Sequence, residues 1–518
     1  MKAFTEPLLS LAGFEEMTKT AEKSSGLISV TGCIDAQKSQ MIYAFGGHRK
    51  NKLIVTFGEQ KAKELYDEYS FFDKEVVYYP SKDVLFYQSD IRGNLLTAER
   101  IRALKAIREQ ERVTIVTTFD ALMNTMAPIE KMWENVLTLE QGQLLDLKEI
   151  QAALIRMGYE KEYQVQTMGQ FSVRGGILDV FPLTEENPIR IELWGDDIDT
   201  IRYFDCESQK SIENTDRVSI YPAAELVLSD EEKAGGIEKL KAEAKRVSDK
   251  LRKQMKTEEA HRVSVMADEL TEEWGELSMY AGMDAFLSYF FDERVGILDY
   301  FNPSDSLIFF DELTRCTEQG KLTETEFSES MKQRLAMGYI LPGQMNGLFT
   351  EKEIVAKLGK YSCIALAALD NKANGLHQLG SYGIHCQSVS PYNNSFELLI
   401  KDLKRYKKNG YRVILISGSR TRAKRLSEDI TDQGITCFYT ENYDHELFEG
   451  QIMVCYGKVR RGFEYPILKF AVITESDIFG AQQKKKKRHR TYEGEKIQSF
   501  TDLSVGDYVV HENHGLGI

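Results

Sequence analysis

The sequence predicts a multidomain α/β protein, and three patterns predict this class. The first 125 residues alternate short apolar segments with helical segments, which indicates βαβ units and a parallel sheet covered on both faces. Between about 160 and 222, short strands are joined by tight turns, as in a small antiparallel meander inserted into the α/β domain. A second small α/β unit occupies roughly 390 to 480.

The individual elements follow from apolar runs, period-two alternation and Gly or Pro breaks. In the first unit the predicted strands are 27–31, 53–57, 76–79 and 113–119, with helices from near Ser39, over 59–69 and over 98–108. In the meander the predicted strands are 171–174, 177–181, 189–194 and 200–204. Charge-rich helical sequence covers 229 to 270, and the second unit has strands 412–417, 436–439, 451–456 and 470–474 with a helix over 421–430.

The last residues begin another β-rich module at 503–511. This module stops at Ile518, too early to close a core, so we expect the chain to be a fragment of a longer protein.

Composition indicates a globular chain in a reducing compartment. Of 518 residues, 42% are hydrophobic and 28% are charged, and seven cysteines are scattered without a CxxC pair. The N-terminus is too polar for a signal peptide, and no apolar run approaches the length of a membrane span. We therefore expect a cytoplasmic protein with no membrane partner and no metal site.

The charge balance disfavours a protein that holds nucleic acid over its whole surface. Acidic residues outnumber basic ones 80 to 66, a net charge of −14, whereas affinity for DNA comes largely from Lys and Arg neutralising phosphates. One dense basic run stands out, Lys484–Arg490. It is either a solvated linker or a non-specific contact with nucleic acid or a partner, and it predicts at most weak, salt-labile DNA binding.

The segment after the first strand is close to a phosphate-binding loop. It has Gly32, Lys38 and Ser39 at the positions of G-x-x-x-x-G-K-[ST], but Gln37 replaces the second glycine. A Cβ there obstructs backbone N–H groups that would surround phosphate, and Asp35 adds a negative charge. The segment has three possible interpretations. It is a decayed ATP loop, or an ordinary strand-to-helix turn with a chance Lys-Ser pair, or a working ATP loop, and the last agrees least with Gln37. The sequence favours a degenerate P-loop NTPase scaffold with a broken nucleotide site.

Asp311 and Glu312 follow an apolar strand, as in a Walker B pair, where Asp would hold Mg²⁺ and Glu would orient water. Without an intact phosphate loop this pair has no substrate. No nucleophile motif and no zinc-helix spacing is present, so we predict no catalytic residue and no cofactor in this chain.

The meander carries the best candidate for a binding surface. In the strand 189–194, alternation places Arg190, Glu192 and Trp194 on the face opposite Ile189, Ile191 and Leu193. Arg174 is presented in the same way by the strand 171–174. An aromatic side chain among charges on a solvent face is typical of an interface hot spot. The alternative is that Trp194 packs beneath a neighbouring helix.

These residues carry a resemblance to a known family. The runs Gly169–Pro182 and Ile189–Asp199 resemble the UvrA-binding domain shared by UvrB and the bacterial transcription-repair coupling factors. The order of the segments decides between these two, because a decayed loop and the meander are followed by the α/β unit ending near Gly480 and then by Gly506–Gly517. This order is similar to the N-terminal half of the coupling factors. UvrB keeps an intact phosphate loop and a long aromatic hairpin.

The resemblance implies a domain plan with these parts: 1–128, a UvrB-like domain 1a with the degenerate loop; 129–225, the inserted UvrA-binding domain 2; 226–385, domain 1b; 386–480, a small α/β domain 3; 481–498, a basic linker; and 499–518, the start of a domain that binds RNA polymerase.

The resemblance also implies a function. The chain would be an adaptor that recruits UvrA to stalled RNA polymerase in transcription-coupled nucleotide excision repair. The ATP- and Mg-dependent translocase motor, and most contact with DNA, would lie beyond Ile518. Arg174, Arg190, Glu192 and Trp194 would contact UvrA, although the family commonly has Phe in place of Trp194. The alternative is a UvrB-like ATP-binding subunit that recognises damage.

Overall fold

Strands and helices alternate along most of the chain. The computed structural model describes residues 1–46, 49–82, 94–276, 282–369, 374–480, 509–511 and 515–517. The basic run Lys484–Arg490, the linker 481–498 and most of 499–518 therefore lie outside the described residues.

The helices, numbered in chain order, are α1 Lys2–Thr5, α2 Phe14–Lys23, α3 Asp35–Gly46, α4 Glu59–Phe72, α5 Asn94–Glu109, α6 Phe119–Met123, α7 Ile129–Glu134, α8 Leu147–Arg156, α9 Asp230–Lys253, α10 Thr257–Glu276, α11 Leu287–Phe290, α12 Leu313–Ala336, α13 Glu351–Leu358, α14 Phe396–Lys408, α15 Arg420–Asp432 and α16 Glu475–Phe479.

The strands are β1 Gly26–Thr31, β2 Asn51–Thr56, β3 Val76–Tyr79, β4 Val113–Thr118, β5 Leu137–Glu140, β6 Glu160–Lys161, β7 Gln170–Arg174, β8 Ile177–Val180, β9 Ile189–Trp194, β10 Asp197–Phe204, β11 Ser211–Thr215, β12 Arg217–Ile220, β13 Ser306–Asp311, β14 Ser362–Leu366, β15 Gln378–Gly383, β16 Gln387–Ser388, β17 Arg412–Ser417, β18 Phe438–Tyr439, β19 Ile452–Tyr456, β20 Phe463–Tyr465, β21 Phe470–Thr474, β22 Val509–His511 and β23 Gly515–Gly517.

A parallel sheet of seven strands, in the order β15-β1-β14-β13-β2-β4-β3, forms the centre of the first unit. Its strands are apolar on both faces because helices cover both sides. Leu53 and Val55 of β2 enter one core, whereas Ile54 enters the core on the opposite face. The predicted parallel α/β sheet is confirmed, and it also contains β14 and β15, which the apolar runs alone did not identify.

The helix after β1 begins earlier than expected. The sequence predicts a loop up to a start near Ser39, whereas α3 begins at Asp35. Gln37 and Lys38 consequently lie in the first turns of a helix and not in an open loop.

The meander is an insertion between two neighbouring regions of this sheet, because β4 and β13 both belong to it and residues 119–305 lie between them. It forms a sheet in the order β11-β10-β9-β8-β7-β6, antiparallel from β7 to β11 with β6 parallel to β7. The predicted antiparallel insertion is therefore confirmed. The same insertion contains the helical hairpin α9–α10, whose buried Trp274 packs against Phe286 and Phe290.

The second α/β unit forms a mixed sheet in the order β16-β20-β21-β17-β19-β18. One face is covered by α14 and α15. The other face packs onto the first unit, because Ile414, Phe463 and Tyr465 share a buried cluster with Phe4 of α1 and Met41 of α3.

No helix among the described residues is both long enough and apolar enough to cross a membrane. All seven cysteines are free thiols.

A buried ion network joins the insertion to the parallel sheet. Arg100 of α5 is fully buried and donates to both carboxylate oxygens of Glu225, at 2.7 and 3.1 Å. Lys82 Nζ lies 3.2 Å from the same carboxylate and 2.8 Å from Asp284. Burial opposes ionisation of Glu225, but the charges of Arg100 and Lys82 dominate and lower its pKa to about 2.

This pKa predicts a specific acid sensitivity. The folded value of about 2 lies below the ordinary value of 4.5, so the stabilisation is present above about pH 4.5 and is lost as pH falls towards 2. The shift corresponds to about 3 kcal/mol of unfolding free energy. We expect Glu225→Gln to be less stable than wild type at pH 7 by about this amount, with the difference shrinking below pH 4.5.

Urea unfolding of both proteins between pH 7 and pH 3 measures this difference, and Glu213→Gln at an exposed position serves as the control. A difference that stays constant across this pH range would contradict the assignment.

Candidate functional site

Two groups of predicted site residues occupy separate regions of the molecule. The first surrounds Lys38 at the carboxyl edge of the parallel sheet, and the second lies on the outward face of the meander.

Three carboxylates surround the Lys38 ammonium. Its Nζ lies 2.6 Å from Asp311 Oδ1, 2.8 Å from Glu312 Oε1 and 3.2 Å from Asp35 Oδ1, and the side chain is 1% exposed. Thr56 donates to the second oxygen of Asp311 at 2.9 Å. Burial alone would lower the pKa of Lys38, but the charges and hydrogen bonds of Asp311 and Glu312 raise it above its ordinary value. Lys38 is a fixed cation that is already neutralised from within the chain.

The turn after β1 is also occupied by the chain's own backbone. Gly32 has a φ of +79°, and a Cβ at this position would lie 2.0 Å from the carbonyl oxygen of Ile384. The N–H of Cys33 donates to the Ala367 carbonyl at 2.9 Å, and that of Gly32 donates to the Ala368 carbonyl at 3.3 Å. A phosphate loop needs such N–H groups free and turned towards the ligand. Here the first two residues of the segment bind backbone instead.

Gln37, the residue that replaces the motif's glycine, contacts the second α/β unit. The Tyr465 hydroxyl of β20 lies 3.1 Å from Gln37 Oε1 and 3.2 Å from Gln40 Oε1, and all three side chains are buried. Gln37 Nε2 and the buried Ser39 hydroxyl have no partner among the described residues. The segment thus forms a joint between the first and the second α/β unit.

The predicted UvrA-contact residues all lie on the outward face of the meander. The register places Arg174 opposite Ile177, which in turn pairs with Glu192, so these positions form one row across β7, β8 and β9. Trp194 lies two residues beyond Glu192 in β9, on the same face, and is 82% exposed. The alternative of a Trp packed beneath a helix is therefore wrong.

The four predicted contact side chains differ in their solvent exposure and in their hydrogen bonds within the sheet. Arg190 is only 13% exposed, because its guanidinium donates two hydrogen bonds to Asp179, at 2.7 and 2.8 Å. The same carboxylate, itself 1% exposed, accepts a bond of 2.8 Å from Arg174, whose side chain is 35% exposed. The expectation that Arg190 is presented on a solvent face is corrected, because its side chain is mostly buried and neutralises Asp179.

Further contacts hold the side chains of Arg190 and Glu192 in place. Arg190 also donates to Gln209 at 2.8 Å and its guanidinium stacks 4.3 Å from the Phe204 ring centroid. Hydrogen bonds from Arg202 lower the pKa of Glu192 and hold that carboxylate against the sheet. Neither Asp179 nor Arg202 was predicted as a site residue, although each is a charged residue within a predicted strand and lies on the face opposite its buried neighbour, Leu178 or Ile201.

A further exposed aromatic side chain borders this face. Tyr163 is 83% exposed, and its carbonyl accepts a hydrogen bond of 2.7 Å from Ser172 of β7. The opposite face of the sheet is the core, where Phe171, Leu178 and Ile191 pack against Leu154 of α8. The outward face thus has a rigid apolar support.

Comparison with known proteins assigns this insertion to a class of domain. Residues 137–226 match the family model described as the UvrB interaction domain. These residues include β7 to β11 and all four of the predicted contact residues.

The whole chain resembles transcription-repair-coupling factors. It is 28% identical over 468 residues to that of Bacillus subtilis (strain 168), a match covering 90% of this chain and 39% of the relative. For Staphylococcus haemolyticus (strain JCSC1435) the identity is 28% over 502 residues, 95% of this chain and 41% of the relative. For Staphylococcus aureus (strain MRSA252) it is 27% over 519 residues, with 97% and 42% covered.

The predicted resemblance to the transcription-repair coupling factors is thereby confirmed over nearly the whole chain. The chain spans about two fifths of the length of these relatives.

The Lys38 cluster generates a stability prediction. Lys38→Met leaves the buried Asp311 carboxylate without its cation, and we expect the unfolding free energy to fall by about 3–5 kcal/mol. Lys61→Met is the matched control. It breaks a pair with Asp35, whose side chain is 69% exposed, and should cost less than about 1 kcal/mol. Thermal and urea unfolding measure both effects, and wild-type stability in Lys38→Met would show that the cluster is not structural.

Proposed function

We propose that this chain is a recruitment adaptor that binds UvrA through the outward face of the meander and joins it to RNA polymerase in transcription-coupled repair. The exposure of Trp194 within the matched UvrB interaction domain is the observation that carries this proposal. An exposed Trp beside a partly exposed, oriented Arg is the composition of an interface hot spot. The similarity to coupling factors supports the cellular role.

The ion pairs within the sheet support tight binding, because side chains that are already held in place lose little conformational entropy when a partner binds. Asp179 already fixes the guanidinium of Arg174, whose exposed part remains available to a partner carboxylate. Fewer rotamers are lost when such a side chain enters an interface. Arg190 and Glu192 act mainly as supports for this face, since each is paired within the sheet.

Nucleotide chemistry is not part of the proposed role of this chain. We infer that the segment 32–39 is a degenerate P-loop. Gln37 and Lys38 stand at positions of the sequence motif, but Gln37 contacts the second α/β unit and Lys38 is held in an internal ion cluster. The alternative of a UvrB-like ATP-binding subunit needs a free lysine at this place. ATP, Mg and most DNA contact would belong to other parts of a longer cytoplasmic protein, as would complete binding of RNA polymerase.

The proposed UvrA surface can be tested with two substitutions, one expected to weaken binding and the other expected to lower stability. Trp194→Ala should weaken UvrA binding by about 1–3 kcal/mol, roughly five- to 150-fold in Kd, and leave the melting temperature unchanged because the side chain is exposed. Arg190→Ala should lower the unfolding free energy by about 1–3 kcal/mol, since it leaves the buried Asp179 short of hydrogen-bond donors.

Calorimetry with purified UvrA and thermal unfolding of the same proteins provide both readouts. Phe448→Ala, which truncates an exposed aromatic in the second unit, is the control for surface truncation. Retained UvrA affinity in a folded Trp194→Ala protein would refute the proposed surface.

The absence of a working nucleotide site is also testable. Titration with Mg-ATP up to about millimolar concentration should give no saturable heat, because Lys38 is held by carboxylates that repel a triphosphate. Saturable binding that Lys38→Ala abolishes would overturn this part of the proposal.

A further inference from the structure

The helical hairpin α9–α10 segregates charge along its length. Its base is acidic, with Asp230, Glu231, Glu232 and Glu238 on α9 and Asp268, Glu269, Glu272 and Glu273 on α10. Its distal part, residues 241–256, contains seven basic residues, namely Lys241, Lys245, Arg246, Lys250, Arg252, Lys253 and Lys256. The acidic residues of this distal part are Glu243 and Asp249, and the first turns of α10 beside it add Glu258, Glu259 and Arg262. Residues 241–262 together contain eight basic and four acidic residues. This end of the hairpin is therefore basic, in a chain whose net charge is −14.

The cations of the distal part are exposed and largely unpaired. All seven basic residues are exposed, and none of the five lysines has an ion pair within the described part of the chain. The two arginines have only distant partners: Arg246 lies 3.9 Å from Glu243, and Arg252 lies 4.0 Å from Asp249. Glu243 is also committed elsewhere, because it accepts hydrogen bonds from the Tyr289 hydroxyl and the Gly343 N–H.

The hairpin holds these cations on a rigid support. Leu240, Ala244 and Leu251 are buried on the inner side of α9, and Ser248 donates to the Ala260 carbonyl of α10 at 3.0 Å. At 100° per residue, four basic positions of α9 lie on the side away from the buried residues, namely Lys245, Arg246, Lys250 and Lys253, whereas Lys241 and Arg252 lie at the flanks. The 12 steps from Lys241 to Lys253 cover about 18 Å along the axis. The result is a broad band of positive charge along the exposed side of α9.

Helix-dipole preferences account for only part of this pattern. Cations stabilise the last turn of a helix, which covers Lys250, Arg252 and Lys253, but the effect falls off within that turn. It does not reach Lys241 or Lys245. The acidic residues near the C-terminal end of α10 run against the dipole.

We propose that the distal part of this hairpin, residues 241–256, binds the phosphate backbone of duplex DNA. A band of exposed cations on a rigid helix, most of them without an ion pair among the described residues, is complementary to a stiff polyanion with one charge per about 1.7 Å of axis. The array contains no aromatic side chain, and its one large exposed apolar group is Met255 at the turn, which is 87% exposed. A protein interface would need more apolar area at its centre. The contact is therefore electrostatic and independent of base sequence.

The test uses the 518-residue chain and a fluorescently labelled duplex of about 25 base pairs, followed by anisotropy at about 50 and 150 mM salt. The variant Lys245→Gln, Lys250→Gln, Lys253→Gln should raise Kd about tenfold or more. It should also flatten the dependence of log Kd on log salt by about 2–3, since each phosphate contact contributes about 0.9.

The matched control is Lys401→Gln, Lys404→Gln, Lys408→Gln, which makes the same charge change at exposed positions of α14. It should change Kd less than about twofold if the effect is local and not a result of net charge. Thermal unfolding of both variants checks that neither loses its fold.

Other outcomes overturn the proposal. Equal losses in the two triple variants would show a general charge effect. Unchanged binding in the hairpin variant, with loss on neutralising Lys484–Lys487, would place DNA on the basic run. Competition by poly-glutamate as effective as competition by duplex, per unit charge, would indicate an acidic protein partner, and no measurable binding of wild type at about 50 mM salt would exclude the site.

Discussion

The carboxyl edge of the seven-stranded sheet depends on the neutralisation of one buried ammonium group. Lys38 lies inside the protein at 1% exposure, and an isolated charge in such a place costs several kcal/mol. Asp311 at the end of β13 and Glu312 beside it supply the compensating charge, so the start of α3 is held against the end of β13. Gln37, which precedes Lys38 in α3, accepts a hydrogen bond from the Tyr465 hydroxyl and so links this edge to the second unit.

In the meander sheet the signs of the charges are reversed relative to the Lys38 cluster. Its buried charge is an anion, Asp179, and two arginines on adjacent strands neutralise it. This explains why the predicted contact residues are unequal: Arg190 is committed almost wholly to the sheet, Arg174 is shared with solvent, and Trp194 is free. The geometry of this proposed contact face is therefore set by ion pairs within the sheet.

Much of this could be predicted from the sequence because the relevant signals are local. Alternation in 189–194 correctly placed Trp194 opposite Ile191, and apolar runs located most strands of the parallel sheet. The pairing of Lys38 with Asp311, 273 positions apart, and of Gln37 with Tyr465, 428 apart, depends on tertiary contacts that no period or motif encodes. For the same reason alternation marked Arg190 as outward-facing, but it could not show that a buried carboxylate on the next strand would hold it.

Both proposed contact surfaces arise from the one insertion between β4 and β13. The meander and the basic hairpin follow one another within this insertion. Glu225 lies between the last strand of the meander region, β12, and the first helix of the hairpin, α9, and its ion pair with Arg100 fixes the chain at this point. Because that pair is buried against the sheet, the orientation of the inserted elements is set by the fold and not by a flexible linker. The segment 32–39 contributes to the same fixed arrangement, because Gln37 contacts Tyr465 of the second unit and Lys38 closes the ion cluster at the edge of the parallel sheet.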